Sequence, residues 1–389
     1  MKSSHRIFFQ NAKNMDAVDS ESIDLVVTSP PYPMIEMWDA VFSKNNPQIA
    51  SALESKNGGM AFQLMHDELD AVWDEMVRVL KKGGFACINI GDAARTIDGD
   101  FTLYPNHSRI LTSLYQKGLS PLPAIIWRKQ TNAPNKFMGS GVLPAGAYVT
   151  LEHEYILILR KGGKRVFGNA DLRAGRQDSA LFWEERNQWF SDVWMDLKGA
   201  RQGLVEKSVR KRSGAFPFEL PYRLINMYSV KEDTVLDPFL GLGTPMSAAM
   251  AAGRNSVGFE IDNNFDGIIE KQIDAIVDFS NIYMRDRLKK HEAFVKEREH
   301  VKGPLKYTNC HYGFPVIMNQ EKNLMFNPLL SAGKISEGCF GIEYSEETQS
   351  GNLQQEDDVR GKSRYTDQDV EGRDRDTGQK TFQQLELKI

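Results

Sequence analysis

Leu236-Asp237-Pro238-Phe239-Leu240-Gly241-Leu242-Gly243-Thr244 is the stretch on which the fold turns. A short apolar run, Thr234-Val235-Leu236-Asp237, leads into it, and a helix-like segment opens at Thr244. Two glycines one residue apart let the backbone turn tightly and approach a ligand closely. Nineteen residues after Gly241, at the end of the next strand-like run Ser256-Val257-Gly258-Phe259-Glu260, stands an acid. At that place a carboxylate can accept hydrogen bonds from both hydroxyls of a ribose. Strand, Gly-x-Gly turn, helix, strand and terminal acid together point to a nucleoside-binding α/β unit. The same residues, taken alone, also fit an ordinary strand–helix turn with a surface glutamate.

What the turn lacks narrows the ligand. A dinucleotide site lays its pyrophosphate on a helix N-terminus through G-x-G-x-x-G. Here Gly241-Leu242-Gly243 continues as Thr244-Pro245-Met246, with no third glycine, and the chain has no G-x-x-x-x-G-K-[ST]. A ligand with a ribose and no phosphate fits better, and S-adenosylmethionine is such a ligand.

Further strand-like runs lie outward from this unit. Ile23-Asp24-Leu25-Val26-Val27-Thr28 ends at a double proline, and Phe85-Ala86-Cys87-Ile88-Asn89-Ile90 follows the turn Lys82-Gly83-Gly84. Tyr155-Ile156-Leu157-Ile158-Leu159 is a third. Short, nearly continuous apolar runs are those of strands covered on both faces. Between them, Asp67 to Leu80 carries Leu69, Val72, Trp73, Met76, Val77 and Leu80 on one helical stripe. The alternation predicts a mostly parallel α/β sheet.

The loop Ser29-Pro30-Pro31-Tyr32 follows the first of these runs. Two prolines fix φ and remove two N–H donors, leaving a stiff loop rich in carbonyl acceptors. Ser29 Oγ and the Pro30 carbonyl suit the two hydrogens of an exocyclic base amine, and Tyr32 suits stacking on the base. Read in isolation the loop fits a stiffener around a packed tyrosine better than a catalytic site.

Taken in order, these motifs resemble the β-class DNA amino-methyltransferases of prokaryotic restriction–modification systems. Ser29-Pro30-Pro31-Tyr32 precedes Asp237 to Thr244, which is the permuted motif order. Between and around them, four further stretches match. They are Val79 to Gly84 with Ile88 to Asp92, Trp127-Arg128-Lys129 through His153-Glu154-Tyr155, Phe216-Pro217-Phe218-Glu219-Leu220-Pro221, and Arg254 to Glu260. The match covers roughly residues 5 to 275.

The resemblance implies a Rossmann-like class I methyltransferase with a seven-stranded, mostly parallel sheet. It implies S-adenosyl-L-methionine as donor, double-stranded DNA as partner with a flipped target base, and a cognate restriction endonuclease. It implies catalytic roles for Ser29, Pro30, Pro31 and Tyr32. Cofactor contacts are implied from Asp237, Pro238, Phe239, Gly241, Gly243, Thr244, Glu260, Phe216, Pro217, Glu219 and Leu220. Ser before Pro-Pro-Tyr is associated with cytosine N4 in this family, and Asp or Asn with adenine N6. Cytosine C5 chemistry needs a thiolate that adds to the ring; no cysteine lies in a Pro-Cys loop, and Cys87 reads as core.

Composition sets the rest. With 41% hydrophobic and 26% charged residues the chain has enough apolar material for a sizeable core. No apolar run or leader predicts a membrane span or export. The three cysteines, Cys87, Cys310 and Cys339, form no CxxC pair, which fits a reducing prokaryotic cytoplasm and predicts neither disulfides nor a metal site. The net charge of −4 requires that any DNA-binding surface be local. Arg160 to Arg212 supplies one candidate, with thirteen Lys/Arg against seven acids interleaved with Trp183, Trp189, Phe190 and Trp194. It is expected to be an insertion outside the sheet that reads DNA, with Lys164, Arg165, Arg173, Arg176, Arg186 and Trp189 as contacts.

The expected organisation is a catalytic half (1–160), a recognition insertion (161–212), a cofactor half (213–300), a β-rich appendage (301–345) and a polar tail expected to be disordered (346–389). Asp92 reads equally as a pocket residue or a helix cap, His107 as a loop residue, and Glu36 and Trp38 as pocket lining or a helix start.

Overall fold

The computed structural model describes residues 1–129, 138–197 and 216–346 of the chain. Ten strands form one sheet: β1 (Lys2–Phe8), β2 (Ile23–Thr28), β3 (Leu80–Ile90), β4 (Leu119–Arg128), β5 (His153–Lys161), β6 (Val193–Trp194), β7 (Thr234–Asp237), β8 (Asn255–Phe259), β9 (Leu329–Ser336) and β10 (Cys339–Tyr344). Their order across the sheet is β6-β4-β5-β3-β2-β7-β8-β1-β10-β9. The central five, β3, β2, β7, β8 and β1, are parallel. β5 runs antiparallel between β3 and β4. The seven strands from β4 to β1 are the expected methyltransferase sheet in permuted order.

Three strands go beyond that expectation. β6 lies within the segment expected to stand apart, yet it pairs in parallel with β4. Trp194 and Trp189 pull it in: both are buried in the core on that side. At the other edge, the β9–β10 hairpin of the appendage pairs antiparallel with β1, so the appendage continues the sheet. The expected turn at Lys82-Gly83-Gly84 is instead an irregularity inside β3, where pairing with β2 shifts between Leu80 and Phe85.

Ten helices accompany the sheet: α1 (Asp39–Asn45), α2 (Pro47–Glu54), α3 (Gly58–Val79), α4 (Asn106–Gln116), α5 (Ala170–Asp178), α6 (Trp183–Trp189), α7 (Glu219–Tyr228), α8 (Thr244–Ala251), α9 (Asp266–Asp274) and α10 (Ile276–Lys302) among the described residues. Successive side chains of a strand point to opposite faces, and here both faces are covered. Val26, Ala86, Ile88, Leu157 and Leu159 join one core with Met65, Leu69, Trp73 and Met76 of α3. Leu25, Val27, Cys87, Ile156 and Ile158 join the other with Leu220, Leu224 and Ile225 of α7. That double coverage is why these strands read as unbroken apolar runs. The stripe on α3 is as expected, but the helix starts earlier, where the Asn57 side chain accepts the Met60 N–H and caps it. Cys87 is fully buried, and burial pushes its thiol pKa far up. No helix among the described residues is long and apolar enough to cross a membrane.

Strand direction fixes two ends of the sheet. The carboxyl ends of β2, β3, β4, β7 and β8, with the start of the antiparallel β5, define one end. The amino ends of the parallel strands and the finish of β5 at Lys161 define the other. In open α/β sheets ligands bind beyond the carboxyl ends.

Candidate active site

β2 and β7 are neighbours, with Leu25 opposite Val235 and Val26 opposite Leu236. Their carboxyl ends therefore bring together two motifs that lie some two hundred residues apart in sequence. The joint is a buried hydrogen bond: Thr28 Oγ1 donates to Asp237 Oδ1 at 2.6 Å. The same oxygen accepts the Phe239 N–H at 3.1 Å, which folds the turn back on the strand. Burial, set against these two bonds, pushes the Asp237 carboxyl up to about 7.

The turn has the conformation that its glycines permit. Gly241 and Gly243 have φ of 52° and 77°, in the left-handed region. The Gly241 N–H donates to Glu260 Oε2 at 2.7 Å, and the Asp262 N–H donates to Glu260 Oε1 at 2.8 Å. A carboxylate offers about four acceptor sites, so Glu260 keeps capacity for two hydroxyl donors. Burial raises its pKa. Thr244 opens α8 with Gly243 as its N-cap. Phe239 lies edge-on to Trp73 of α3, with ring centroids 5.8 Å apart. The arrangement fits a ribose-bearing cofactor whose polar groups meet Glu260 and Asp237.

The second part of the cofactor set is more structural than expected. Phe216 and Leu220 are buried in the core, and the Pro217 carbonyl accepts the Leu220 N–H at the start of α7. Glu219 has both carboxylate oxygens engaged within the protein: Arg223 Nε donates to one at 2.9 Å, and the Tyr283 hydroxyl donates to the other. The ion pair with Arg223 lies within α7, and the Tyr283 hydrogen bond ties α7 to α10.

At the catalytic loop, Ser29 Oγ donates to the Tyr32 hydroxyl at 3.1 Å, and that hydroxyl donates to Glu154 Oε2 at 3.0 Å. Asn89, near the end of β3, donates to the same hydroxyl at 2.9 Å and to Glu154 Oε2 at 2.7 Å. Lys129 Nζ holds the other Glu154 oxygen at 2.8 Å. Burial and the Glu154 charge hold the Tyr32 phenol pKa well above its usual value. Behind the loop, Asn106 donates to the Pro33 and Gly91 carbonyls at 3.1 and 3.0 Å. Gly91 is needed for packing, since a Cβ there would lie 3.0 Å from the Tyr32 ring. The family resemblance covers the stretches that hold Asn89, Lys129 and Glu154, the latter two in the segment it associates with the base pocket, but not their bonds to Tyr32. Asn89 also interrupts an otherwise apolar strand. Asp92 acts as a cap: it accepts the His107 N–H and pairs with the His107 ring at 2.8 Å. His107 is therefore in the first turn of α4, not in a loop. Glu36 to Trp38 forms a short 3-10 helix.

The expected DNA contacts are placed differently. Because β5 is antiparallel, Lys161 and the residues after it emerge at the amino end of the parallel strands. Arg165 makes a two-pronged ion pair with Asp233, just before β7, and approaches Asp24 near the start of β2. That is the far end of the sheet from Ser29, about 20 Å away at the rise of a strand. Lys164, Arg173 and Arg176 are exposed on the same stretch. Trp189 is 3% exposed beneath the Arg223 and Arg287 guanidinium groups, so it is core and not a DNA contact. Arg186 is exposed, over Phe190. The basic residues from Lys198 to Arg212 lie outside the described residues.

Comparison with known proteins agrees with this geometry. Residues 23–271 match the family model N6_N4_Mtase, described as DNA methylase. The type II methyltransferase M.MthZI of Methanothermobacter thermautotrophicus is 50% identical over 347 residues, covering 89% of this chain and 96% of that protein. M.MjaI of Methanocaldococcus jannaschii is 48% identical over 280 residues, covering 69% and 91%. Among solved structures, a DNA modification methylase of Thermus thermophilus in complex with S-adenosyl-L-methionine shares 30% identity at a TM-score of 0.54, covering 69% of this chain and 92% of that one. The chain belongs to the N6/N4 DNA methylase family.

Proposed function

We propose that this protein transfers a methyl group from S-adenosyl-L-methionine to the N4 amine of cytosine in duplex DNA, protecting a site from a cognate endonuclease. The observation that carries the reading is the junction of Ser29-Pro30-Pro31-Tyr32 with the Asp237–Glu260 turn across the paired ends of β2 and β7. The family and the turn without a phosphate cradle support the donor. The Ser29 hydroxyl, a carbonyl-rich loop and a polar pocket wall support an amine acceptor. When bound, the donor supplies an electrophilic methyl group. Glu260 and the turn would hold its ribose, and Asp237 its charged amino group. Ser29 and the Pro30 carbonyl orient the amine, and positioning supplies much of the rate.

DNA approaches at the carboxyl end of the sheet. Two ribbons stand there: 93–104, after β3, and 138–148, between β4 and β5. They meet where Phe101 stacks on Tyr148 with centroids 4.6 Å apart. Val142, Leu143 and Val149 are strongly exposed beside them. Leu197 and Phe216 also lie toward this end and bracket the sequence carrying Lys198, Arg201, Lys207, Arg210, Lys211 and Arg212.

The test is nucleoside mass spectrometry of duplex DNA after incubation with enzyme and labelled donor. We expect 4-methylcytosine. Finding only 6-methyladenine would overturn the base assignment and leave the amine chemistry standing.

A further inference from the structure

We propose that Glu154 receives the proton that the target amine loses, through a relay of two hydroxyls, Ser29 Oγ and Tyr32 Oη. The proposal rests on the amine-methyltransferase reading above and adds to it the fate of the proton. A serine hydroxyl is a weak base and can only share or pass a proton. The carboxylate stands two hydrogen bonds further on, at 3.1 Å and then 3.0 Å.

Every bond in the cluster points the same way. Tyr32 Oη accepts from Ser29 and from Asn89 Nδ2, so its own proton is directed to Glu154 Oε2. Ser29, donating to Tyr32, keeps its lone pairs to accept an amine hydrogen. Glu154 is 8% exposed, and Asn89 and Lys129 hold it with its carboxylate against the tyrosine. The strongly raised phenol pKa means that Tyr32 passes a proton and does not rest as an anion.

The step balances. The amine lone pair forms the new N–C bond as the carbon–sulfur bond of the donor opens with its electron pair on sulfur. The N–H proton goes to Ser29 Oγ, the Ser29 proton to Tyr32 Oη, and the Tyr32 proton to Glu154 Oε2. The positive charge lost from sulfur is matched by the negative charge lost from the carboxylate. Glu154 acts through Tyr32 and does not touch the base, so its role is that of a positioning residue and proton sink.

The experiment is single-turnover methyl transfer to duplex DNA by the full chain at saturating donor, with wild type, Tyr32→Phe, Glu154→Gln and the double variant. Tyr32→Phe keeps the ring and breaks the relay. Each single variant should lower the rate about 100-fold, and the double variant should fall no further than either. Donor and DNA affinities should stay within about threefold, which also shows that the variants are folded. The charged and titratable groups against the Glu154 carboxylate, among the described residues, are Tyr32 from the loop after β2 and Lys129 from the segment after β4. Tyr32→Phe at wild-type rate, or losses that multiply, would overturn the relay alone. Absence of any amine methylation by wild type would overturn the underlying reading.

Discussion

The cofactor turn and the catalytic loop sit side by side at the ends of β7 and β2, yet they are built by opposite means. The turn is local. Gly241 and Gly243 supply its backbone, and Glu260, one strand later, ties it through backbone N–H groups. The loop is assembled from afar. Tyr32 depends on Asn89 and Glu154, 57 and 122 residues away. A locally built site should fail by losing its ligand, whereas a remotely built one should fail by losing rate.

Crossing two substitutions tests that contrast most severely. Ser29→Ala should cut single-turnover rate by about 100- to 1000-fold with donor affinity within about threefold. Glu260→Ala should weaken donor binding by about 10- to 100-fold, the worth of one to two lost hydrogen bonds to a charged group. Its rate at saturation should change little. Stopped-flow transfer and calorimetry separate the two, and equal losses in both quantities for both variants would erase the distinction.

The pH dependence sharpens it further. In the native protein the Asp237 carboxyl is raised from 3.8 to about 7. The native state therefore holds a proton that the unfolded chain gives up above about pH 4. By linkage, this group's stabilising contribution is complete below about pH 4 and is lost as pH rises toward 7. In the ligand-free enzyme, Asp237→Asn should flatten that part of the decline in melting temperature. Donor affinity should move the other way, rising by up to about tenfold per pH unit until about pH 7, since the charged amino group prefers the ionised carboxylate. Calorimetric titration across that range checks it, and an Asp237→Asn variant with the wild-type slope would remove Asp237 as the cause.

The smallest expected effect concerns the far end of the sheet. Reversing Lys164, Arg173 and Arg176 to Glu should leave DNA affinity within about twofold, at an unchanged salt slope. Neutralising Lys207, Arg210 and Lys211 should lower the slope of log affinity against log salt by about 0.9 for each phosphate no longer neutralised. The opposite outcome would return recognition to the stretch after β5.

The same contrast explains what could be read from the sequence. The alternation of strand and helix and the turn at Gly241 were legible because each rests on neighbours in the chain, whereas the permuted sheet came only from the family resemblance. The bonds that tie Thr28, Asn89 and Glu154 into the site became visible only once the strands were ordered. The basic stretch from Lys164 to Arg176 leaves the sheet at the end opposite Ser29, and charge content carries no information about which end a segment leaves from. The antiparallel course of β5 decides that. The tryptophans misled for a related reason. Beside charges they resemble a nucleic-acid surface, but Trp189 and Trp194 are packed under α7 and bring a tenth strand to the sheet.

The place of β1 has a consequence in time. Arg6 pairs with Val257 on one side and Cys339 on the other, so an early strand lies between two made some 250 and 330 residues later. At roughly 5–20 residues per second of synthesis, β1 waits on the order of ten seconds or more for β8, and longer for β10. The catalytic loop after β2 waits similarly for β7. Such separated pairings make folding late and slow. The candidate site therefore cannot close until β7 and Glu260 have followed the catalytic loop, a delay written into the order of the strands.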